Sequence, residues 1–115
     1  MTKASTNLAA VRKFALSLPD TAELPHFDYA SFRVQGKIFV TVPPDGLHLH
    51  VFVAEEQREQ ALALHPECLE KLWWGKKVSG LRVRLDLASL SLLKQLVRAA
   101  WDNKAPTPKT PRRRG

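Results

Sequence analysis

Residues 29–42 read YASFRVQGKIFVTV, and this stretch decides the fold. Apolar and polar residues alternate from Tyr29 to Val34, and strand-forming residues resume from Lys37 to Val42. Gln35-Gly36 between the two runs is typical of a two-residue hairpin turn, in which Gly36 supplies the positive φ. The stretch therefore predicts a β-hairpin with Phe32 and Val34 on one face and Arg33 on the other.

The sequence predicts two further strands. After the turn PPDG at residues 43–46, residues 47–53 (LHLHVFV) alternate and complete a three-stranded antiparallel meander. Residues 81–87 (LRVRLDL) predict a later strand, in which Arg82 and Arg84 share the exposed face. We expect residues 20–28 to form a loop and residues 66–72 a short helical turn.

Three helices complete the prediction. Ser5 or Thr6 caps a helix that runs to about Leu18, residues 54–65 form a second helix with an acidic start, and Ser89 caps the last helix. The last helix has a broad apolar face that must cover the sheet. The expected fold class is α+β: an antiparallel sheet, made of the meander plus the later strand, packed by N- and C-terminal helices.

Length and composition indicate one domain. The chain has 115 residues, 44% of them hydrophobic, which is enough for a core without disulfides. The single cysteine, Cys68, excludes an intramolecular disulfide and a cysteine-only zinc site. The sequence has no apolar run of signal-peptide type and none near the ~20 residues of a membrane span, so we expect a soluble, cytoplasmic protein.

The net charge of +7 is concentrated at one end of the chain. Residues 104–115 (KAPTPKTPRRRG) hold five cations, no acid and three prolines, whereas residues 1–103 hold 13 cations and 11 acids. We expect a single domain over residues 1–103 and a disordered basic tail over residues 104–115. Such a tail either binds polyanions by counterion release or serves for solubility alone.

The domain itself has a basic segment. Residues 71–86 (KLWWGKKVSGLRVRLD) contain five cations, two tryptophans and two glycines, with one acid at the end, whereas residues 54–70 are acidic. Cations beside aromatic rings suit phosphates and bases, although tryptophans before a strand are also ordinary core residues. We expect one of Trp73 and Trp74 to face the core and the other, Trp74, to face solvent or a groove.

The order of these segments closely resembles the MmcQ/YjbR-like family of small bacterial proteins. The resemblance covers about residues 8–102, and its most specific pieces are Ser31-Phe32-Arg33-Val34 with Gly36-Lys37-Ile38-Phe39, and Trp74-Gly75 before the strand of Gly80. It implies a double-wing DNA-binding motif, with wings at residues 33–37 and 76–84. The implied partner is double-stranded DNA, bound weakly and with strong salt dependence; a protein-interaction or adaptor module is the alternative. The expected nucleic-acid-binding residues are Arg33, Lys37, Trp74, Lys76, Lys77, Arg82 and Arg84, with Arg112, Arg113 and Arg114 of the tail.

Catalytic and metal motifs are absent from the sequence. It has no GxxxxGK[ST], GxSxG or HExxH, so we expect a non-enzymatic protein without a cofactor. His48 and His50 have a spacing that can chelate a metal, but a third ligand would have to come from His26, Asp28 or His65 through folding, and we expect no metal site. Acidic neighbours should raise the pKa of Cys68 and make it a poor nucleophile.

Overall fold

The structure of the chain is a computed structural model, and it describes residues 2–106. Three helices and six strands follow one another along these residues. In chain order they are α1 (Lys3–Ser17), β1 (Thr21–His26), β2 (Tyr29–Val34), β3 (Lys37–Val42), β4 (His48–Val51), α2 (Glu55–Leu64), β5 (Leu69–Trp74), β6 (Lys77–Arg84) and α3 (Leu90–Lys104). The predicted tail residues Arg112, Arg113 and Arg114 lie outside the described residues.

All six strands form one antiparallel sheet with the order β1-β2-β3-β4-β6-β5. The predicted hairpin is present with its expected bounds, and both of its turn residues have positive φ, 48° at Gln35 and 83° at Gly36. Positive φ at both central residues defines the type I′ turn, whose twist matches that of the flanking strands. The α+β fold class with flanking N- and C-terminal helices is confirmed.

Two strands were missed by the sequence prediction. Residues predicted as a loop form β1, and residues predicted as a helical turn form most of β5. Both are edge strands with largely exposed side chains, so neither shows the apolar alternation of a half-buried strand. Pro25 is tolerated in β1 because an edge strand has one side free of ladder hydrogen bonds.

The helices cover one face of the sheet. One row of residues on that face runs across four paired strands and is fully buried: Phe32, Val40, Val51 and Leu81. α3 packs on β3 and β4, α1 packs against α3 and β1, and α2 packs against β5 and β6. The buried face of α3 consists of Leu92, Leu93, Leu96, Val97 and Ala100. Burial of these side chains is the main stabilising contribution to the fold.

Polar contacts fix the position of α1 and the start of α3. The buried Asn7 side chain donates hydrogen bonds to the carbonyl oxygens of Leu85 (2.8 Å) and Ala88 (3.2 Å), which joins α1 to the connection between β6 and α3. The hydroxyl of Ser89 accepts from the backbone N–H of Leu92, as predicted for an N-cap. α1 begins earlier than predicted, because its N-cap is Thr2 instead of Ser5 or Thr6.

Of the helices in residues 2–106, none has the length and apolar character needed to cross a bilayer.

Candidate binding groove on the open sheet face

The sheet face opposite the helices, here called the open face, has a polar row across its centre. The strand register places Ser31, Thr41, His50, Arg82 and Glu70 next to one another on consecutive strands. They occupy this face because side chains alternate along a strand and the neighbouring row is the buried one. Ser31 and Thr41 are buried although no helix covers them. The open face is therefore a polar floor between taller side chains.

A groove with a volume of about 540 Å³ lies on this face. Its walls come from residues beside two hairpin turns: residues 26–29 at the β1–β2 turn, and residues 72–74, which precede the β5–β6 turn at Gly75-Lys76. The antiparallel strand order places these turns at diagonally opposite corners of the sheet. The twist of a sheet raises one diagonal pair of corners toward the same face, which explains how residues so distant in sequence line one groove.

Aromatic residues dominate the walls of the groove. Phe27 and Tyr29 lie on one side, Trp73 and Trp74 on the other, and Phe52 follows β4. The exposed fractions are 92% for Phe27, 81% for Trp74 and 57% for Trp73. The expected exposure of Trp74 is confirmed, but the expectation that Trp73 faces the core is wrong. A register shift between Leu72 and Trp73 interrupts the regular alternation of β5, so both tryptophans line the groove.

The predicted cationic residues fall into three groups. Lys76 and Lys77 lie at the β5–β6 turn beside Trp74, are exposed, and form no ion pair with any residue of the described part of the chain. Arg82 and Arg84 share the open face, as predicted, but both have acidic partners. Arg84 donates to both oxygens of Asp86 at 2.9 and 2.8 Å.

Those acidic partners reduce the positive charge of the arginine pair. The hydrogen bonds between Arg84 and Asp86 raise the pKa of the guanidinium and lower that of the carboxyl group. Arg82 lies 3.8 Å from a carboxylate oxygen of Glu70. A phosphate that approached either arginine would have to compete with a carboxylate already in place.

Arg33 and Lys37 lie toward the other edge of the sheet. Arg33 donates to the hydroxyl of Ser31 at 3.1 Å and approaches the Pro25 carbonyl at 3.4 Å. Lys37 begins β3 after the β2–β3 turn, where the backbone N–H of Gln35 donates to the Asp20 carbonyl, just after α1. Neither residue is among those that line the groove.

His50 lies in the floor of the groove and is neutral at pH 7. Burial, with the positive charge of Arg82 as the next cause, lowers its pKa to about 4. Its Nδ1 is 3.4 Å from the hydroxyl of Thr41, and its buried Nε2 has no hydrogen-bond partner among the described residues. The Nε of Arg82 is also buried without a hydrogen-bond partner among the described residues.

The structure also places the candidate metal and nucleophile residues. His48 Nδ1 is 2.7 Å from a carboxylate oxygen of Asp45, and in residues 2–106 no three His, Cys, Asp or Glu side chains come together as a metal site would require. Cys68 is buried, and burial followed by the charge of Glu67 raises its pKa, as the sequence predicted. A thiol in these surroundings is a weak nucleophile.

Comparison with known proteins gives the family. The YjbR family model matches residues 16–103, which include all six strands and α2 in full and all of α3 except its last residue. The chain belongs to the YjbR family. The crystal structure of Deinococcus radiodurans protein DR2400, with a domain of the DUF419 family model, is similar with a TM-score of 0.68 and 22% sequence identity. The match covers 82% of this chain and 75% of that one, and at this identity it shows the shared fold. No curated protein matches the sequence.

Sequence reasoning missed one wall of the groove. It identified Trp74, Lys76 and Lys77, which lie together on one hairpin, but it assigned no binding role to Phe27, Tyr29 or Phe52. The available signal was HFDY at residues 26–29, where two aromatic residues and a histidine stand in a segment predicted to be an exposed loop. Exposed aromatic residues in a turn are unusual enough to mark a binding surface.

Proposed function

We propose that this YjbR protein is a non-enzymatic DNA-binding protein that contacts the phosphate backbone through the β5–β6 hairpin, with added affinity from its basic C-terminal segment. The observation that carries the proposal is the turn of that hairpin, where Lys76 and Lys77 are exposed beside Trp74. Unpaired ammonium groups on a projecting turn exchange counterions for phosphate oxygens without first breaking an ion pair.

The arginines of the open face have a smaller part in this proposal. Arg82 and Arg84 retain the predicted orientation, but Glu70 and Asp86 offset their charge. Arg33 is held by the Ser31 hydroxyl and the Pro25 carbonyl, and Lys37 lies on the β2–β3 hairpin instead of the hairpin that carries Trp74. We therefore place the primary contact at the two lysines, and assign secondary contacts to the arginines and to the C-terminal cluster Arg112, Arg113 and Arg114.

Fluorescence anisotropy of the full chain with a labelled DNA across a salt series tests the proposal. The double variant Lys76→Glu/Lys77→Glu should weaken binding at least ~10-fold at low salt. Lys3→Glu/Lys13→Glu on α1 is the matched control, because it changes the net charge by the same amount on exposed helical lysines. Equal losses in both variants would show that total charge, and not the hairpin, determines the affinity.

The C-terminal cluster is tested separately in the full chain. Replacing Arg112, Arg113 and Arg114 with Ala should reduce the slope of log affinity against log salt by roughly 3 for duplex DNA if all three contact phosphates. An unchanged slope would restrict binding to the folded domain. Loss of all binding would instead show that the hairpin contributes nothing on its own.

A protein-interaction module is the second candidate function. The exposed aromatic residues Phe27, Trp73 and Trp74 favour it, because such rings are common anchors of protein interfaces. A protein partner held by these rings would be lost on Trp74→Ala and would dissociate little with added salt. The salt series therefore distinguishes the two candidates.

A further inference from the structure

The groove has aromatic walls, which a surface that only contacts the phosphates of a DNA duplex would not need. Its walls are the rings of Phe27 and Tyr29 on one side and of Trp73 and Trp74 on the other. A DNA duplex keeps its bases stacked inside, so it offers these rings phosphates and sugars instead of base faces. An unpaired base exposes both faces of its ring, and base stacking on aromatic side chains tolerates any sequence.

The exposure of the wall residues has no explanation in packing. Phe27 is 92% exposed and Trp74 is 81% exposed, so neither stabilises the core. Large apolar side chains exposed together on a monomer surface indicate a binding site. Their position above a polar floor, with Lys77 paired to Trp74 across the β5–β6 hairpin and Lys76 in its turn, gives the surface both an apolar and a cationic component.

The backbone at Phe27 gives an independent indication. The β1–β2 and β5–β6 turns each have two central residues, and the first of them has a positive φ in both turns, 59° at Phe27 and 61° at Gly75. Glycine accepts this conformation without strain, whereas a bulky residue does not. A strained phenylalanine where glycine would fit, with its ring in solvent, indicates that the ring is retained for function.

The floor of the groove offers hydrogen-bonding groups to a base edge. His50 Nε2 is buried without a partner among the described residues, and His50, Thr41 and Ser79 all line the groove. A neutral imidazole can donate or accept at Nε2 according to its tautomer, whereas a protonated one could only donate. Buried polar atoms in native structures nearly always have a partner, so the unpartnered Nε2 of a histidine that lines the groove indicates a ligand or water that reaches it.

We infer that the groove binds an unpaired nucleotide of single-stranded nucleic acid, with its base between the aromatic walls and its phosphates at Lys76 and Lys77. This inference rests on the proposed nucleic-acid binding and names the form of nucleic acid. It also accounts for the paired state of Arg82 and Arg84, because a single strand needs a narrow cationic rim instead of a broad cationic face. The protein therefore prefers a single strand to a duplex of the same length.

The test compares the full chain with labelled dT12, rU12 and a 12-base-pair duplex at low salt. Trp74→Ala and Trp73→Ala should each weaken dT12 binding by about 5- to 100-fold, the loss of one stacked base, and change duplex binding less than 2-fold. dT12 should also quench tryptophan fluorescence, and Trp74→Ala should reduce the quenching. Leu64→Ala on α2 is the control, because it removes an apolar side chain of 68% exposure far from the groove and should leave affinity unchanged.

Two results would overturn the inference in distinguishable ways. If the duplex binds as tightly as dT12 and the tryptophan variants bind both as the parent does, the nucleotide site is refuted while phosphate binding by the hairpin stands. If neither dT12, rU12 nor the duplex binds at low salt, the proposed function fails together with the inference. His50→Gln supplies a second check, because it leaves the walls intact and should weaken dT12 binding several-fold.

Discussion

Replacing Gly80 with alanine should separate the two strands beneath the groove. Gly80 is buried in β6, and a Cβ at this position would lie 2.3 Å from the backbone oxygen of Val51 and 3.1 Å from the Cα of Phe52. Both contacts are with the backbone of the neighbouring strand and the residue after it, so no side-chain rotation can relieve them. The strands must move apart by about 1 Å to restore ordinary contact, which weakens the pairing of β4 with β6 in the centre of the sheet.

The cost of this separation is large enough to measure. Overpacking a buried site of this kind costs about 3 kcal/mol of unfolding free energy, which corresponds to a fall in Tm of about 12 °C for a domain of this size. Gly36→Ala is the matched control, since a Cβ there meets nothing within 4 Å and the cost comes from the φ of 83° alone. That conformational strain is worth about 1 kcal/mol, or roughly 4 °C.

Thermal unfolding followed by circular dichroism, with urea titration at 25 °C, checks both variants. Gly80→Ala should unfold well below Gly36→Ala, and both should retain the two-state transition. If Gly80→Ala is as stable as Gly36→Ala or more so, the close approach of β4 and β6 has no energetic weight and the steric argument is wrong.

Three other changes have expected outcomes. The lowered pKa of His50, about 4 against 6.5 in the unfolded chain, means that the unfolded state binds more protons between these values. The contribution of His50 to the free energy of unfolding should therefore be fully present above pH 6.5 and should fall by about 1–2 kcal/mol as the pH drops toward 4. Urea titrations at pH 7.5 and 4.5 should show a smaller fall for His50→Gln than for the parent. Asn7→Ala should lower the free energy of unfolding, measured by urea titration, by about 2 kcal/mol, because it leaves the carbonyls of Leu85 and Ala88 without their buried donor. The control is Asn103→Ala at an exposed site, which loses one hydrogen bond to the Phe52 carbonyl and should lower it by less than half as much. Phe27→Gly should raise stability by about 0.5–1 kcal/mol, since it relieves the positive φ, while it weakens dT12 binding; a loss of stability would show that the ring packs usefully in the fold.

The central strands and the last helix were predictable because their burial is regular. In residues 29–42 Ala30 pairs with Val42 and Phe32 with Val40, and Gln35-Gly36 specifies the turn that sets the register. Ser89 and the apolar face that follows it specify α3 equally well. Local chemistry and global packing agree in these segments, so a single sequence is sufficient to identify them.

The edge strands were not predictable for the opposite reason. β1 and β5 each pair with one neighbour and bury little, so their side chains follow no apolar alternation. Their strand conformation depends on the hydrogen bonds that β2 and β6 offer, which is a property of the assembled sheet. The ion pair between Arg82 and Glu70 could not be predicted for the same reason, because the two residues become neighbours only when β5 pairs with β6.

The groove combines these two kinds of structure, and this combination favours the open face as the functional surface. Its floor lies on central strands whose register is fixed by the buried row on the other side of the sheet. Its walls lie on hairpin turns of the edge strands, where side chains contribute little to the core and can be changed at low cost in stability. The strained Phe27 and the exposed Trp74 lie at those turns. Selection for stability alone would remove both features, so their presence supports the proposal that the groove is a binding site.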